Sequence, residues 1–181
     1  MTEPTLQGYL GTVWQHLLHG VNDRHHPCRH PTLATIGPDG PQARTLVLRA
    51  ANQGVATLTL HTDSASAKTS ELCADPRVAI HVWLPDHRLQ FRLSGIATLQ
   101  SGDMALWSSL PARAQANYGS APSPGAPIAA PGAVASTPDP ARFTQITCQI
   151  ASIDLLHLAA DRHYRAAFDA KTNWQGRWLA P

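Results

Sequence analysis

Val55-Ala56-Thr57-Leu58-Thr59-Leu60-His61 runs directly into Thr62-Asp63-Ser64-Ala65-Ser66-Ala67-Lys68. The first seven residues alternate in polarity with a period of two, the signature of a strand with one buried face. The next seven are mostly small and hydroxyl-bearing, a composition that opens a short helix with Ser64 or Ser66 as its N-cap. The first N–H groups of a helix lack internal partners, and the dipole there favours an anion. A phosphate at that point would gain hydrogen bonds from Thr62, Ser64 or Ser66 and charge from Lys68. An ordinary cap beside a solvated lysine accounts for the same residues.

The strand pattern extends toward the N-terminus. Thr32 to Ile36 and Ala43 to Ala50 read as two strands of a hairpin across Gly37-Pro38-Asp39-Gly40, and Asn52-Gln53-Gly54 is a further turn. Arg44-Thr45-Leu46-Val47-Leu48-Arg49 carries two arginines at odd separation, on opposite faces of a regular strand unless a bulge intervenes. Upstream lies a polar connection, Asn22 to Pro31, with His25, His26, Cys28 and His30. Their spacing fits no zinc pattern, so a flexible His-rich loop without metal is expected. Before it, Leu6, Leu10, Val13, Trp14, Leu17 and Leu18 recur at helical spacing and form one apolar face.

Toward the C-terminus, the short helix ends near Cys73 and Asp75-Pro76 breaks it. Val78 to Leu84 is an apolar run that reads as a buried strand. After the Pro85-Asp86-His87 turn, Leu89 to Leu99 is a long strand. Gln90, Arg92 and Ser94 share one of its faces; Leu89, Phe91 and Leu93 share the other. The Gln90 amide offers a donor and an acceptor together, which suits the edge of a heteroaromatic ring. Gly102 to Tyr118 reads as a helix divided by Pro111, and residues 119–140 as a Pro-, Ala-, Gly- and Ser-rich surface loop. Phe143 to Leu158 and Arg162 to Phe168 return to strand pattern, and Trp174 to Leu179 is a short closing element.

Strands outnumber helices and the early turns are short, so an antiparallel barrel within one domain, residues 1–181, is expected. The 181 residues are 43% hydrophobic with a formal net charge of only +2. Neither a nucleic-acid nor a membrane-surface partner is expected from so mild a balance. No apolar run is long enough to span a bilayer, the N-terminus lacks a signal pattern, and three widely spaced cysteines make no disulfide framework. A reducing cytoplasm is the expected location. Gly-x-Ser-x-Gly, Gly-x-Gly-x-x-Gly and P-loop motifs are all absent.

The strand Arg44 to Arg49, the segment His61 to Lys68, the stretch Leu89-Gln90-Phe91-Arg92-Leu93-Ser94-Gly95 and the ending Trp178-Leu179-Ala180-Pro181 together resemble the pyridoxamine 5′-phosphate oxidase-like family of FMN-binding split barrels. The likeness spans most of the chain. It implies a mainly β protein with flanking helices, a six-stranded antiparallel split β-barrel that pairs as a homodimer with FMN in the interface. It implies that Arg44, Thr45, Leu46, Val47 and Arg49 line the flavin. His61, Thr62, Ser66 and Lys68 would hold its phosphate or ribityl groups. Gln90 would reach it from the other protomer, and Arg165, with Arg162 behind it, would approach the ring. Arg165 or Arg49 would stabilise negative charge on the reduced ring.

The chain departs from the family pattern in several places. Ala67 stands where an arginine often precedes the lysine. Leu106, Leu110 and Ala114 stand where true pyridoxamine-phosphate oxidases place Tyr, Arg and Ser, and Arg113 is out of register. Arg162-His163-Tyr164-Arg165 spaces its groups differently from the usual Arg-x-His, and no Trp occurs near Leu155 or Leu156. The resemblance thus implies an FMN-dependent oxidoreductase acting on a small molecule of another kind. Its rivals are a non-catalytic flavin-storage module, a pyridoxamine-phosphate oxidase proper, and a haem-handling role using the His-rich loop.

Overall fold

The computed structural model describes residues 4–181. Thr5 caps α1 (Leu6–Asn22) by accepting the Gly8 N–H at 3.0 Å. Leu10, Val13, Trp14 and Leu17 are buried as their spacing predicts, whereas Leu18 lies one step off that stripe and is 39% exposed. A single 3₁₀ turn, Pro27–Arg29, leads into the strands. These are β1 (Thr32–Gly37), β2 (Gly40–Thr45), β3 (Leu48–Asn52) and β4 (Thr57–Asp63). After α2 (Ala67–Ala74) come β5 (Arg77–Leu84) and β6 (Leu89–Ser101). The helices α3 (Met104–Ser109) and α4 (Ala112–Gln115) flank Pro111, as expected for a proline divider. Within the 119–140 loop, β7 (Ser120–Ala121) pairs with β8 (Ala135–Ser136). The chain closes with β9 (Phe143–Leu158), β10 (His163–Asp169) and β11 (Gly176–Leu179).

All the ladders are antiparallel, and the main sheet runs β11-β10-β9-β6-β5-β1-β2. Strand β9 is the spine: β6 flanks one edge along its whole length, and the other edge is shared. Its first half, Phe143 to Gln149, pairs with β4, and its second half, Ser152 to Leu158, pairs with β10. β3 lies outside β4. The expected single strand Ala43 to Ala50 is two strands, because Thr45 still pairs with Thr32 while Leu48 has moved across to Leu60. Leu46 makes the crossing, its N–H donating to Pro31 O at 3.1 Å. Among the described residues no ladder joins β2 to β3, so the sheet stays open along that seam.

The switch of partner on β9 coincides with a bulge. Ser94 faces Ser152 and Gly95 faces Ile150, which leaves Ala151 as an extra residue. Ile146, Cys148 and Ile150 point inward before it, and Ile153 and Leu155 after it, so one residue moves the inward set from even to odd numbers. Helix α1 and the sheet enclose the main core, which holds Trp14, Leu33, Leu58, Leu60, Phe91, Leu93 and Phe168 among others. Trp107, Tyr118 and Phe143 form a smaller cluster beneath α3.

Candidate functional site

A cleft of about 430 Å³ opens where the β2–β3 crossing, the end of β4, the start of α2 and the segment after α4 converge. Thr45, Leu46, Val47, Arg49, His61, Thr62, Ser66 and Lys68 all line it. So do residues that the sequence motifs did not single out as ligands: His30, Asp63, Asn117, Tyr118 and Pro124. Pro124 belongs to the 119–140 loop, so that loop forms part of the rim.

Two irregularities aim the arginines. The register of β3 on β4 slips between Leu48 and Ala50, leaving Arg49 as the bulge residue. Arg49 thereby reaches the cleft. Arg44 does not line it; its guanidinium bonds Thr35 Oγ1 and pairs with Glu71 of α2 at 2.8 Å. Glu71 is buried and also accepts from Thr35. Arg44 therefore fastens α2 to the sheet and fixes where the helix begins.

Ser66 occupies the N-cap position of α2 but makes no side-chain capping bond. Its Oγ instead donates to Asp63 O at 2.8 Å and lies 3.0 Å from Thr62 Oγ1. Lys68 Nζ donates to Thr62 Oγ1 at 3.2 Å. Burial, and then the Arg44 charge, push the Lys68 pKa down, while Glu71 and Asp63 pull the other way. Neither Lys68 nor Arg49 forms a salt bridge among the described residues. Arg49 Nε and His61 Nδ1 are buried without a hydrogen-bond partner. Burial and the Arg49 charge push His61 down to about 4, so the ring is neutral at pH 7 and rests edge-on against Phe143 at 4.8 Å. An unmatched guanidinium N–H, two cations free of ion pairs and an uncapped helix start make a site suited to an anion.

Asp63 braces the floor. Its carboxylate accepts from Ala65 N at 2.8 Å, Gly119 N at 2.9 Å and Arg142 Nε at 2.8 Å. Burial alone would raise its pKa, but these bonds outweigh it and the net shift is downward. A depressed carboxylate contributes stability that is present above its unfolded pKa, near 3.8, and is lost as pH falls through the lower folded value. Asp63→Asn should cost about 2 kcal/mol at pH 7. The gap from the parent should narrow below that unfolded value in denaturant titrations across acid pH. A gap constant down to the acid transition would remove this role.

Gln90 and Arg165 sit apart from the cleft. Trp83, Gln90, Leu156, Arg165 and Leu179 face one another in turn across five strands, one row on the outer face of the sheet. Asp154 holds Arg165 at 2.9 Å and Arg92 at 3.1 Å. Beside this row, Arg162, Arg165 and Trp178 line a groove of about 400 Å³. One chain thus carries two separate polar patches. Leu106 and Leu110 pack on the Trp107–Tyr118–Phe143 cluster and offer no polar group to a substrate phosphate.

The family model described as pyridoxamine 5′-phosphate oxidase, FMN-binding domain, matches residues 11–101, half of the chain, including the cleft residues from Thr45 to Lys68 and Gln90. The chain belongs to this family. The family's cofactor is FMN. A pyridoxamine 5′-phosphate oxidase-related, FMN binding protein from Nostoc punctiforme PCC 73102 is similar over 100% of both chains, with a TM-score of 0.77 and 29% identity. PhzG from Burkholderia lata 383, solved in complex with tetrahydrophenazine-1-carboxylic acid, shares the fold at a TM-score of 0.70 and 19% identity, over 97% of this chain and 90% of its own. No curated protein sequence matches this chain. Among the described residues no helix is long and apolar enough to cross a membrane.

Proposed function

We propose that this family member is an FMN-dependent oxidoreductase that works as a homodimer of split barrels. The observation that carries the reading is the convergence of Arg49, His61, Thr62, Ser66 and Lys68 on one cleft where the buried Arg49 Nε–H and His61 Nδ1 have no hydrogen-bond partner. Lys68, the Thr62 and Ser66 hydroxyls and the start of α2 hold the phosphate of FMN. Thr45, Leu46 and Val47 line the path toward the ring, and Arg44 acts at one remove by positioning α2. The second patch supports the dimer: Gln90 and Arg165 lie away from the cleft on their own chain, and the flavin reaches such groups as the partner subunit's Gln90 and the partner subunit's Arg165. An apolar groove of about 500 Å³ across β1, β5 and β6, with Ile36 and Ile96 exposed, offers the surface for a second copy.

When bound, FMN supplies two-electron transfer to or from a small substrate. The chain's part is to fix the ring, exclude water and place positive charge where the reduced ring gathers negative charge. Arg49 is better placed for that task than Arg165, because Asp154 already neutralises Arg165 while Arg49 Nε is unmatched. Arg49→Met should lower the midpoint potential of the bound flavin by about 30–60 mV. An unchanged potential would remove Arg49 from this role. The apolar Leu106 and Leu110 favour a substrate without the phosphate of pyridoxamine phosphate. FMN titration of the purified chain, with sedimentation analysis and turnover assays using NADH, NADPH and pyridoxamine phosphate, tests the reading. A monomer that does not quench FMN would overturn it. A dimer that binds FMN but is never reduced would leave only the flavin-storage reading.

A further inference from the structure

Ten histidines occur in the chain, and four of them meet outside the flavin cleft. His16 and His19 stand one turn apart on α1. His26 enters from the connection after it, and His87 from the turn between β5 and β6. The His16 ring lies 5.3 Å from His26, 6.5 Å from His19 and 4.7 Å from His87, centre to centre. His16 Nδ1 and His26 Nε2 are 3.1 Å apart. One ligand nitrogen from each of His16, His19 and His26 falls within 4.8 Å of the other two.

These spacings match a coordination shell. Two imidazole nitrogens bound tetrahedrally to one zinc at about 2.0–2.1 Å stand roughly 3.3 Å apart. The His16–His26 pair, at 3.1 Å, is already close to that separation, and the His19 nitrogen lies within 4.8 Å of both. We propose that His16, His19 and His26 form a binding site for a divalent transition-metal ion of the zinc, nickel and copper class, with His87 at its margin.

The connection that the sequence presented as a flexible, metal-free loop supplies the third ligand. In the metal-free protein the His16 Nδ1 lone pair faces the His26 Nε2–H at 3.1 Å, and the ion takes that proton's place between the two nitrogens. His26 Nδ1 accepts the Cys28 N–H at 3.1 Å, which places the ring proton of the metal-free protein on Nε2. Ligation through Nε2 moves that proton to Nδ1 and gives up the Cys28 bond, so affinity falls below that of a closed structural zinc site. The ion would clip α1 to the 3₁₀ turn, where Gly20 already meets the backbone of Cys28. None of the three ligands lines the flavin cleft, so the site stands independently of the FMN reading.

The test uses the tag-free full chain carrying Cys73→Ser, which removes the exposed thiol. Zinc is titrated in competition with a chromogenic chelator, and cobalt is added in parallel for its visible spectrum. The expected result is one zinc per chain with micromolar affinity, and cobalt bands of imidazole ligation. His16→Gln and His26→Gln should each weaken uptake at least about tenfold. Circular dichroism and FMN affinity of the variants should match those of the Cys73→Ser parent. Absence of saturable uptake at micromolar zinc would overturn the proposal. So would equal uptake by the His16→Gln/His19→Gln/His26→Gln variant, which would assign the ion to other donors.

Discussion

Replacing Lys68 with Ala should raise the dissociation constant for FMN about 10- to 150-fold, the equivalent of one charge-assisted hydrogen bond to a phosphate. The expectation rests on the local charge balance. Arg44 is matched by Glu71 and Arg142 by Asp63, so Lys68 and Arg49 carry the positive charge left over at the cleft. Ala67 adds no second cation beside Lys68. The fold should tolerate the change, because burial already disfavours the Lys68 ammonium. Lys68→Arg should restore part of the affinity, and the loss should shrink at high salt as screening weakens the charge in the parent. Fluorescence titration of the apo protein reads the effect. An affinity within twofold of the parent would detach the phosphate from the start of α2.

Gly95→Ala should lower stability by about 3 kcal/mol, at the top of the range for overpacking a well-packed interior. For a chain of this size that is a fall in Tm of about 6–12 °C. A Cβ built on Gly95 would lie 2.0 Å from Gln149 O and 2.9 Å from its carbonyl carbon. Those are backbone atoms of β9, held by β4 on one side and β6 on the other, so they cannot swing away. The Ala151 bulge that lets β9 change partners needs a bare backbone opposite. Ser94→Ala, on the exposed face next door, should change stability by less than about 0.5 kcal/mol and serves as the control. Thermal and urea unfolding would measure both. A Gly95→Ala protein as stable as its parent would mean the bulge can relax.

Local pattern determined much of this protein. Alternation placed β6 and β9, Pro111 divided the helix after β6, and the run from Thr62 to Lys68 located α2, because each depends on neighbours in the chain. Phe91 and Leu93 are buried where their period put them. The Arg44-to-Lys68 motifs also gave most of the cleft residues. Three features were not legible, because each depends on which distant strand is the partner. The crossing at Leu46 breaks a strand whose composition reads as continuous. The bulge at Arg49 turns that side chain into the cleft, while its motif companion Arg44 is taken by Glu71. Asp63, Gly119 and Arg142 are far apart in sequence and meet only because β4 lies beside β9. The histidines show the same division. Sequence spacing showed no metal pattern, since His16 and His19 precede His26 by a full helix end and a turn. Packing brings their nitrogens together, because Gly20 allows the 3₁₀ turn to close against α1. Periodicity therefore determined the elements and one polar cluster, and long-range strand pairing decided which charged groups face the cleft and which neutralise one another.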